Sequence, residues 1–395
     1  MTTRKPTIFI VHPSDLLTDH RLYGDGLIAC GFLRELANRG YRLHVACQEV
    51  DLKEPMPGNV TFHPIRQSWP GPLKRLEYMV RTRLLLEKLR KEETIDIVHQ
   101  MNPVFVGLSL GMVACGLPVL LGTYVARWPD QNRDSLKVRL ETGVRWAICF
   151  LQQWQATNLM LTTPAAMDRI AAPGMVKDKI VTMHHGIDAD LFSPSGEPPE
   201  KGPLSILFYT SVARRKGIFD LLKAFEIVSR EVPEATLSII GRGDHWEEVN
   251  ALIATLPCRD RIHTKGHVPR DSSVEFFRQH AIYVLPSHGE PLGTTAIEGM
   301  ACGKPLVVTN TGGLPYLLPP DGSGGFIVPQ EDPEAMAGAL LKLLRSPEMQ
   351  QRMGAANRTY VEKHYAWTKV VDRLEEVYAG LVTERHSGAP VPLAS

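Results

Sequence analysis

The stretch Ser287 to Gly303, SHGEPLGTTAIEGMACG, places two glutamates, Glu290 and Glu298, on either side of Gly293, Thr294 and Thr295. The apolar run Ile282 to Pro286 stands before it. That order predicts a strand, a loop holding Glu290, and a helix starting near Gly293 with Glu298 in its second turn. First-turn amides of a helix have no partner inside the helix and carry partial positive charge, so an anion such as phosphate is favoured there. Glycine at 293 lets a ligand approach the backbone, and the two threonines add hydroxyl donors. Carboxylates flanking such a spot suit the hydroxyls of a sugar or ribose. Either glutamate alone would serve as well as a solvated residue; the whole strand–loop–helix order is what points to a site. A second cationic spot, Arg214-Arg215-Lys216, stands between a strand and a helix, where an exposed basic turn is the competing role.

Elements must hold these residues in place, and their pattern repeats. Thr7 to His12 is an apolar run. A loop with Gly24 and Gly26 follows, then helical spacing from Leu27 to Arg39, a stop at Gly40 and alternation from Tyr41 to Cys47. Ile95 to His99, Pro118 to Gly122 and Leu159 to Thr162 read as further strands between helical segments. The Pro- and Gly-rich stretch 193–203 is a linker. After it the alternation restarts: strands Leu204 to Tyr209, Thr236 to Gly241, Ile262 to Lys265, Ile282 to Pro286 and Leu306 to Thr309, with helices between them. Strand–helix alternation argues for parallel sheets covered on both faces. The expected organisation is an α/β chain with two doubly wound domains, 1–192 and 204–366. A closing helix, 367–382, follows, and the tail 386–395 is expected to be disordered. Ligands of such sheets sit at the carboxyl ends of the strands, so a cleft between the two domains is the expected place for chemistry.

Bulk composition narrows the function. A chain of 395 residues is long enough for two domains. With 44% hydrophobic and 22% charged residues it is ordinary globular protein, and a net charge of +1 gives no global field for nucleic acid. The six cysteines form no CxxC pair, which fits reduced thiols in the cytoplasm. Met1 to Lys5 leads straight into a strand without signal-peptide features, and no apolar run approaches the roughly 18 residues of a membrane span. His184-His185 could suggest a metal pair, but adjacent residues at a strand end point apart. One local feature departs from the average. Trp69 to Lys91 combines clustered Lys and Arg with apolar residues at helical spacing. This suits either a helix lying in an anionic membrane surface or a solvated helix whose leucines pack inward.

Taken together, Glu290 to Glu298 as an E-x7-E pair within EPLGTTAIEGMACGKPLVVTNTGGLP resembles the retaining family-four glycosyltransferases of the GT-B fold. The likeness extends over nearly the whole chain. It includes Gly24-Asp25-Gly26, Asp96-Ile97-Val98-His99, HHGIDADLF (184–192), ARRKGIFDLLKAF (213–225) and SIIGRGD (238–244).

The resemblance implies roles for individual residues. Glu298 would hold the nucleotide ribose and Glu290 the donor sugar, with Pro291, Leu292, Gly293, Thr294 and Thr295 binding sugar and phosphate. Lys216 would neutralise the diphosphate as it leaves, where charge grows in the transition state. Arg214 or Arg215 would supply a second cation, because Thr210 stands where the family carries a Gly-Arg element. Gly24 and Gly26 would form the glycine-rich donor loop. Gly241 and Gly243, with the backbone at Val268, would line the base pocket, and His99 and Asn102 would face the cleft. Asp188-Ala189-Asp190 spells the metal-binding motif of a different glycosyltransferase fold, but its context here is structural, so no metal and no cofactor is expected. Met101, His185 and Tyr316 depart from the family's usual histidine, asparagine and glutamate. The expected activity is metal-independent retaining transfer from a nucleotide-diphosphate sugar to a glycan or lipid-linked acceptor, with an anionic membrane surface as a further partner. The enzyme would be cytoplasmic, peripheral at the inner face of the membrane. The alternatives are another GT-B enzyme, such as a sugar phosphorylase or epimerase, and a nucleotide-sugar-binding subunit with degenerate activity.

Overall fold

The computed structural model describes residues 4–21, 24–71, 73–101, 108–125, 136–269 and 272–387. Among these the chain divides into two compact units. The first runs to Gly186 and takes the chain back from Trp367; the second is Ile187–Ala366. The first unit contains β1 (Thr7–Val11), β2 (Leu16–Thr18), α1 (Gly24–Asn38), β3 (Arg42–Cys47), β4 (Glu49–Asp51), β5 (Val60–Pro64) and α2 (Leu73–Glu92). It continues with β6 (Ile97–Gln100), α3 (Leu110–Val113), β7 (Val119–Tyr124), α4 (Leu136–Gln155), β8 (Asn158–Leu161), α5 (Pro173–Val176) and β9 (Ile180–Thr182). Seven of these strands form one parallel sheet in the order β5-β3-β1-β6-β7-β8-β9, and β2 pairs with β4 separately.

The second unit contains β10 (Ser205–Tyr209), α6 (Ile218–Glu231), β11 (Thr236–Ile240), α7 (Trp246–Thr255), β12 (Ile262–Lys265) and α8 (Ser273–Gln279). After these come β13 (Ile282–Leu285), α9 (Thr294–Ala301), β14 (Leu306–Thr309), β15 (Gly325–Val328), α10 (Pro333–Leu344) and α11 (Pro347–His364). Its six parallel strands run β12-β11-β10-β13-β14-β15. The last helix, α12 (Trp367–Ser387), belongs to the first unit.

Central strands such as β1 (TIFIV) and β13 (IYVL) are buried at every position, which is why they read as unbroken apolar runs. In the first unit, α1 and α12 cover one face of the sheet, through Phe32, Leu33, Val371 and Leu374. Residues of α2, α3 and α5 cover the other face, through Tyr78, Leu86, Met112 and Val176. Each sheet grows outward from its first strand and then reverses. The reversal lies between β1 and β6 in one unit and between β10 and β13 in the other. Those are the topological switch points at which doubly wound sheets hold ligands.

Several sequence expectations shift. Gly24 and Gly26 lie in the first turn of α1, not in a loop before it, and neither has a positive φ. The unit boundary falls after Gly186, ahead of the expected Phe192, because Ile187–Phe192 is tied into the second unit. The Ile187 amide donates to the Tyr365 carbonyl (2.7 Å), Phe192 is wholly buried, and the Arg358 guanidinium donates to the carbonyls of Ala189 and Phe192. Ser193, in the expected linker, is held by Arg278. The helix expected to end at residue 382 continues to Ser387; residues 388–395 lie outside the described ones. α12 is anchored by Trp367, whose ring packs against Gly31 and Gly186. A Cβ on either glycine would come within 2.0 and 2.2 Å of the indole. The ring also meets Phe32 edge to face at 4.9 Å. Five of the six cysteines are buried, none is in a disulfide, and Cys149 is half-buried.

Candidate functional site

The loops that follow β10 and β13 meet at the second unit's switch point. After β10 the chain makes a short helical turn, Arg214–Lys216, and leaves it through Gly217 at φ 70°. Only glycine fits there. A Cβ on Gly217 would lie 1.8 Å from the Pro286 carbonyl oxygen, so the two loops touch backbone to backbone. That approach brings Lys216 to Glu290. The Lys216 ammonium donates to Glu290 Oε2, and the Ser287 hydroxyl donates to the same oxygen at 3.2 Å. Both charged side chains are nearly enclosed, at 10% and 8% exposure. From the next strand, the Gly313 amide donates to the Glu290 carbonyl at 2.8 Å, and a Cβ on Gly312 would lie 2.0 Å from that oxygen. Thr309, at the end of β14, donates from its hydroxyl to the Ser287 carbonyl. Loops after three adjacent strands therefore fix one carboxylate.

α9 begins beside this pair. Gly293, at φ 83°, is its N-cap and offers no side-chain acceptor to the first-turn amides. The amides of Ala296 and Ile297 bond back to the Gly293 carbonyl, while those of Thr294 and Thr295 precede the helical ladder. The Thr294 side chain is exposed; Thr295 Oγ1 lies 2.7 Å from the Tyr283 hydroxyl, which is 3.2 Å from the Tyr209 carbonyl. Glu298 is only 7% exposed, so it is not a solvated helical residue. Pro291 and Leu292 are buried, Leu292 within the core under α9, so this segment presents backbone rather than side chains.

Other expected residues fall elsewhere. Arg214 does not join Lys216: its guanidinium is exposed, pairs with Glu248 at 2.9 Å and lies over the Phe219 ring. Gly241 and Gly243 are needed for packing against the β10 loop, since a Cβ on them would meet the carbonyl oxygens of Thr210 at 2.1 Å and Val212 at 2.5 Å. The Val268 side chain is in the core. In the first unit His99 is fully buried inside the sheet, with Nδ1 2.6 Å from the Tyr378 hydroxyl on α12. Burial pushes its pKa down to about 3, so it is a neutral core residue rather than a solvent-facing one. Asn102 lies outside the described residues. Asp188 accepts the backbone amides of Asp190 (3.1 Å) and Leu191 (2.9 Å), so this carboxylate closes its own turn. The sequence reading missed Ser287, Tyr283, Gly217 and Gly312. For Ser287, Gly217 and Gly312 the available signal was their position on loops at the carboxyl ends of neighbouring strands; Tyr283, inside β13, offered none.

Comparisons with known proteins bear on the family and the fold. The family described as glycosyl transferases group 1 matches residues 192–360, and glycosyltransferase family 4 matches residues 28–191. The chain is 28% identical over 368 residues to glycogen synthase of Mycobacterium tuberculosis, covering 89% of this chain and 83% of that one. It is 26% identical over 329 residues to phosphatidyl-myo-inositol mannosyltransferase of Mycobacterium leprae, covering 82% and 83%. The structure of Anabaena HepE in complex with UDP superposes with a TM-score of 0.72 at 14% identity, covering 94% of this chain and 99% of that one. The two family matches run in succession from residue 28 to residue 360, and the chain belongs to the family-four, group 1 glycosyltransferases of the GT-B fold.

Proposed function

We propose that this glycosyltransferase moves a hexosyl unit from a nucleoside-diphosphate sugar with retention of anomeric configuration, without a metal or other cofactor, to a glycan or lipid-linked acceptor. The observation that carries the reading is the enclosed Lys216–Glu290 pair beside the N-terminus of α9. A buried cation beside the Thr294 and Thr295 amides at the start of α9 suits a diphosphate. On arrival, the diphosphate competes with Glu290 for the Lys216 ammonium, and the released carboxylate accepts a hydroxyl of the donor sugar. Glu298, one turn into α9, accepts the ribose hydroxyls. As the bond from C1 to the phosphate oxygen breaks, the acceptor oxygen bonds to C1 on the same face and its proton passes to the departing phosphate. Lys216 and the α9 amides stabilise the charge that grows there. Glu290, held by the Ser287 hydroxyl and engaged with a sugar hydroxyl, acts in binding rather than as a nucleophile. Metal independence rests on Asp188, whose oxygen is used by its own turn.

Calorimetry with nucleoside diphosphates tests the site: Lys216→Ala and Glu298→Ala should each lower affinity about tenfold or more while the protein stays folded. Unchanged affinity in both would overturn the assignment. Turnover should survive excess EDTA, and the product's anomeric proton coupling should match the donor's. Donor binding without transfer or hydrolysis would instead mark a binding subunit, and phosphorolysis of a glycan a phosphorylase.

A lipid-linked acceptor gains support from α2. It carries seven cations against three carboxylates. Its Leu73, Leu76, Val80 and Leu84 form an exposed stripe, while Tyr78, Leu86 and Leu89 turn inward. Among the described residues no helix is long and apolar enough to cross a membrane, so the contact would be peripheral, at the inner face of the cytoplasmic membrane. Vesicle flotation tests it: Arg81→Glu with Lys88→Glu should release the protein from anionic vesicles.

A further inference from the structure

We infer that α4 is a second, inserting membrane contact, whose Trp146, Phe150 and Trp154 enter the interfacial zone of an anionic bilayer. The inference rests on the membrane reading of α2 but on different residues. Near its C-terminal end α4 buries polar side chains and leaves large apolar ones exposed. Its Gln152 and Gln153 are buried, and Val144, Trp146, Leu151 and Trp154 are exposed; the two indoles are about half exposed, at 50% and 51%. The aromatic side chains recur every fourth residue, so they share one face of the helix. They form a continuous ladder, with centroids 5.8 and 6.4 Å apart and planes within 7° of parallel at each step.

This orientation is locked. Gln153 Nε2 donates to the Arg169 carbonyl at 3.0 Å, and Gln153 Oε1 accepts the Ala171 amide at 2.8 Å. Rolling the helix to bury the rings would break both bonds and strand an amide group. Met175, on the neighbouring α5, is a further exposed apolar side chain, at 64%. A stack of large apolar rings standing in solvent marks a contact surface.

Charge selects the occupant. α3 touches both α2 and α4, so the exposed α2 stripe, with its excess of Lys and Arg, belongs to the same helical layer. Arg145, beside Trp146, is exposed as well. Exposed indoles on α4 and exposed leucines on α2, together with the excess of Lys and Arg on α2, complement anionic headgroups over acyl chains, and tryptophan favours that boundary because its ring is apolar and its N–H polar. A second copy of the chain would have to place this cationic layer against itself.

The test uses the full chain with phosphatidylglycerol/phosphatidylcholine vesicles. Wild type should float with them, and vesicles with brominated acyl chains should quench its tryptophan fluorescence. Trp146→Ser with Phe150→Ser and Trp154→Ser should lower partitioning by about tenfold or more and reduce the quenching. Its melting curve should match wild type, because the replaced side chains face outward; if it melts early, Trp154→Ser alone is used with the same readouts. Normal flotation and quenching by this variant, with flotation lost only on Arg81→Glu and Lys88→Glu, would overturn the α4 contact and leave the α2 reading standing. Failure of wild type to float would overturn both. If the ladder variant binds vesicles normally but turns a dimer into a monomer in sedimentation, the face is a self-association surface and the inference falls.

Discussion

The Lys216–Glu290 pair makes a prediction in which stability and function separate. Both side chains are about nine-tenths enclosed, so each charge depends on the other. Removing one partner from a buried pair typically costs about 3–5 kcal/mol, whereas replacing both with apolar residues is often neutral or stabilising. Glu290→Ala should therefore destabilise the second unit by about 3 kcal/mol. For a unit of this size, each kcal/mol moves the melting temperature by roughly 2–4 °C, which gives a fall of about 6–12 °C. Lys216→Met combined with Glu290→Leu should melt near wild type or above it. Both variants should fail to turn over the donor, so the stable one is inactive. Differential scanning calorimetry of the single and double variants, paired with a donor-hydrolysis assay, reads both quantities. If Glu290→Ala melts with wild type, the pair is not paying a buried-charge cost and the argument fails. If the stable double variant still turns over donor, the pair has no part in transfer.

Gly217→Ala should destabilise the second unit by more than the roughly 1–2 kcal/mol of a left-handed backbone, because its Cβ would strike the Pro286 carbonyl; urea denaturation measures it, and a wild-type midpoint would show that the two loops can separate. Trp367→Ala should cost the first unit about 3–5 kcal/mol by emptying the space between Gly31 and Gly186, read in the same way; a loss under about 1 kcal/mol would mean that α12 is held elsewhere. Burial lowers the pKa of His99 and His185 to about 3 and of His280 to about 4, so each is neutral when folded and takes up a proton on unfolding below 6.5. Stability should be full above pH 6.5 and fall as pH drops toward those values, by about 2 kcal/mol per histidine at pH 5; a denaturant midpoint that is flat from pH 7.5 to 5 would contradict this.

The central strands of both sheets were legible because they are buried on both faces and so are written as apolar runs, as in TIFIV and IYVL. Three of the four edge strands were not: β5, β9 and β15 are short and only partly buried, so their sequences carry no such run, while β12, the fourth, was read at its full extent, Ile262 to Lys265. The two-stranded β2–β4 pair is shorter still. α10 and α11 did carry start signals. Asp332 and Ser346 each precede a proline and accept the amide three residues on, at Ala335 and Met349. The domain boundary was misplaced because the Pro-rich stretch 193–203 looks like a linker, whereas what holds Ile187–Phe192 to the second unit is bonding to Tyr365 and Arg358, far along the chain.

The candidate donor site was easier to read than the outer surfaces, and the reason is physical. Its parts are backbone geometry at fixed places: a strand end, a left-handed glycine, a helix N-terminus and a carboxylate one turn in. Local sequence encodes each of them. What it could not encode is that Lys216 and Glu290 touch, because that depends on Gly217 meeting Pro286 across the switch point. For α2 and α4 the difficulty is different. Helical periodicity identifies a face, and the usual inference turns the apolar face inward. α2 has apolar residues on both sides, so its pattern could not say that Leu73, Leu76, Val80 and Leu84 stay outside while Tyr78, Leu86 and Leu89 go in. In α4 the usual inference gives the wrong face, because Gln153 finds backbone partners inside and the indoles do not follow it. The hydrophobic effect acts against water, whatever the apolar partner is, so a helix that fixes its amides inward and its indoles outward has been shaped against a partner outside its own core.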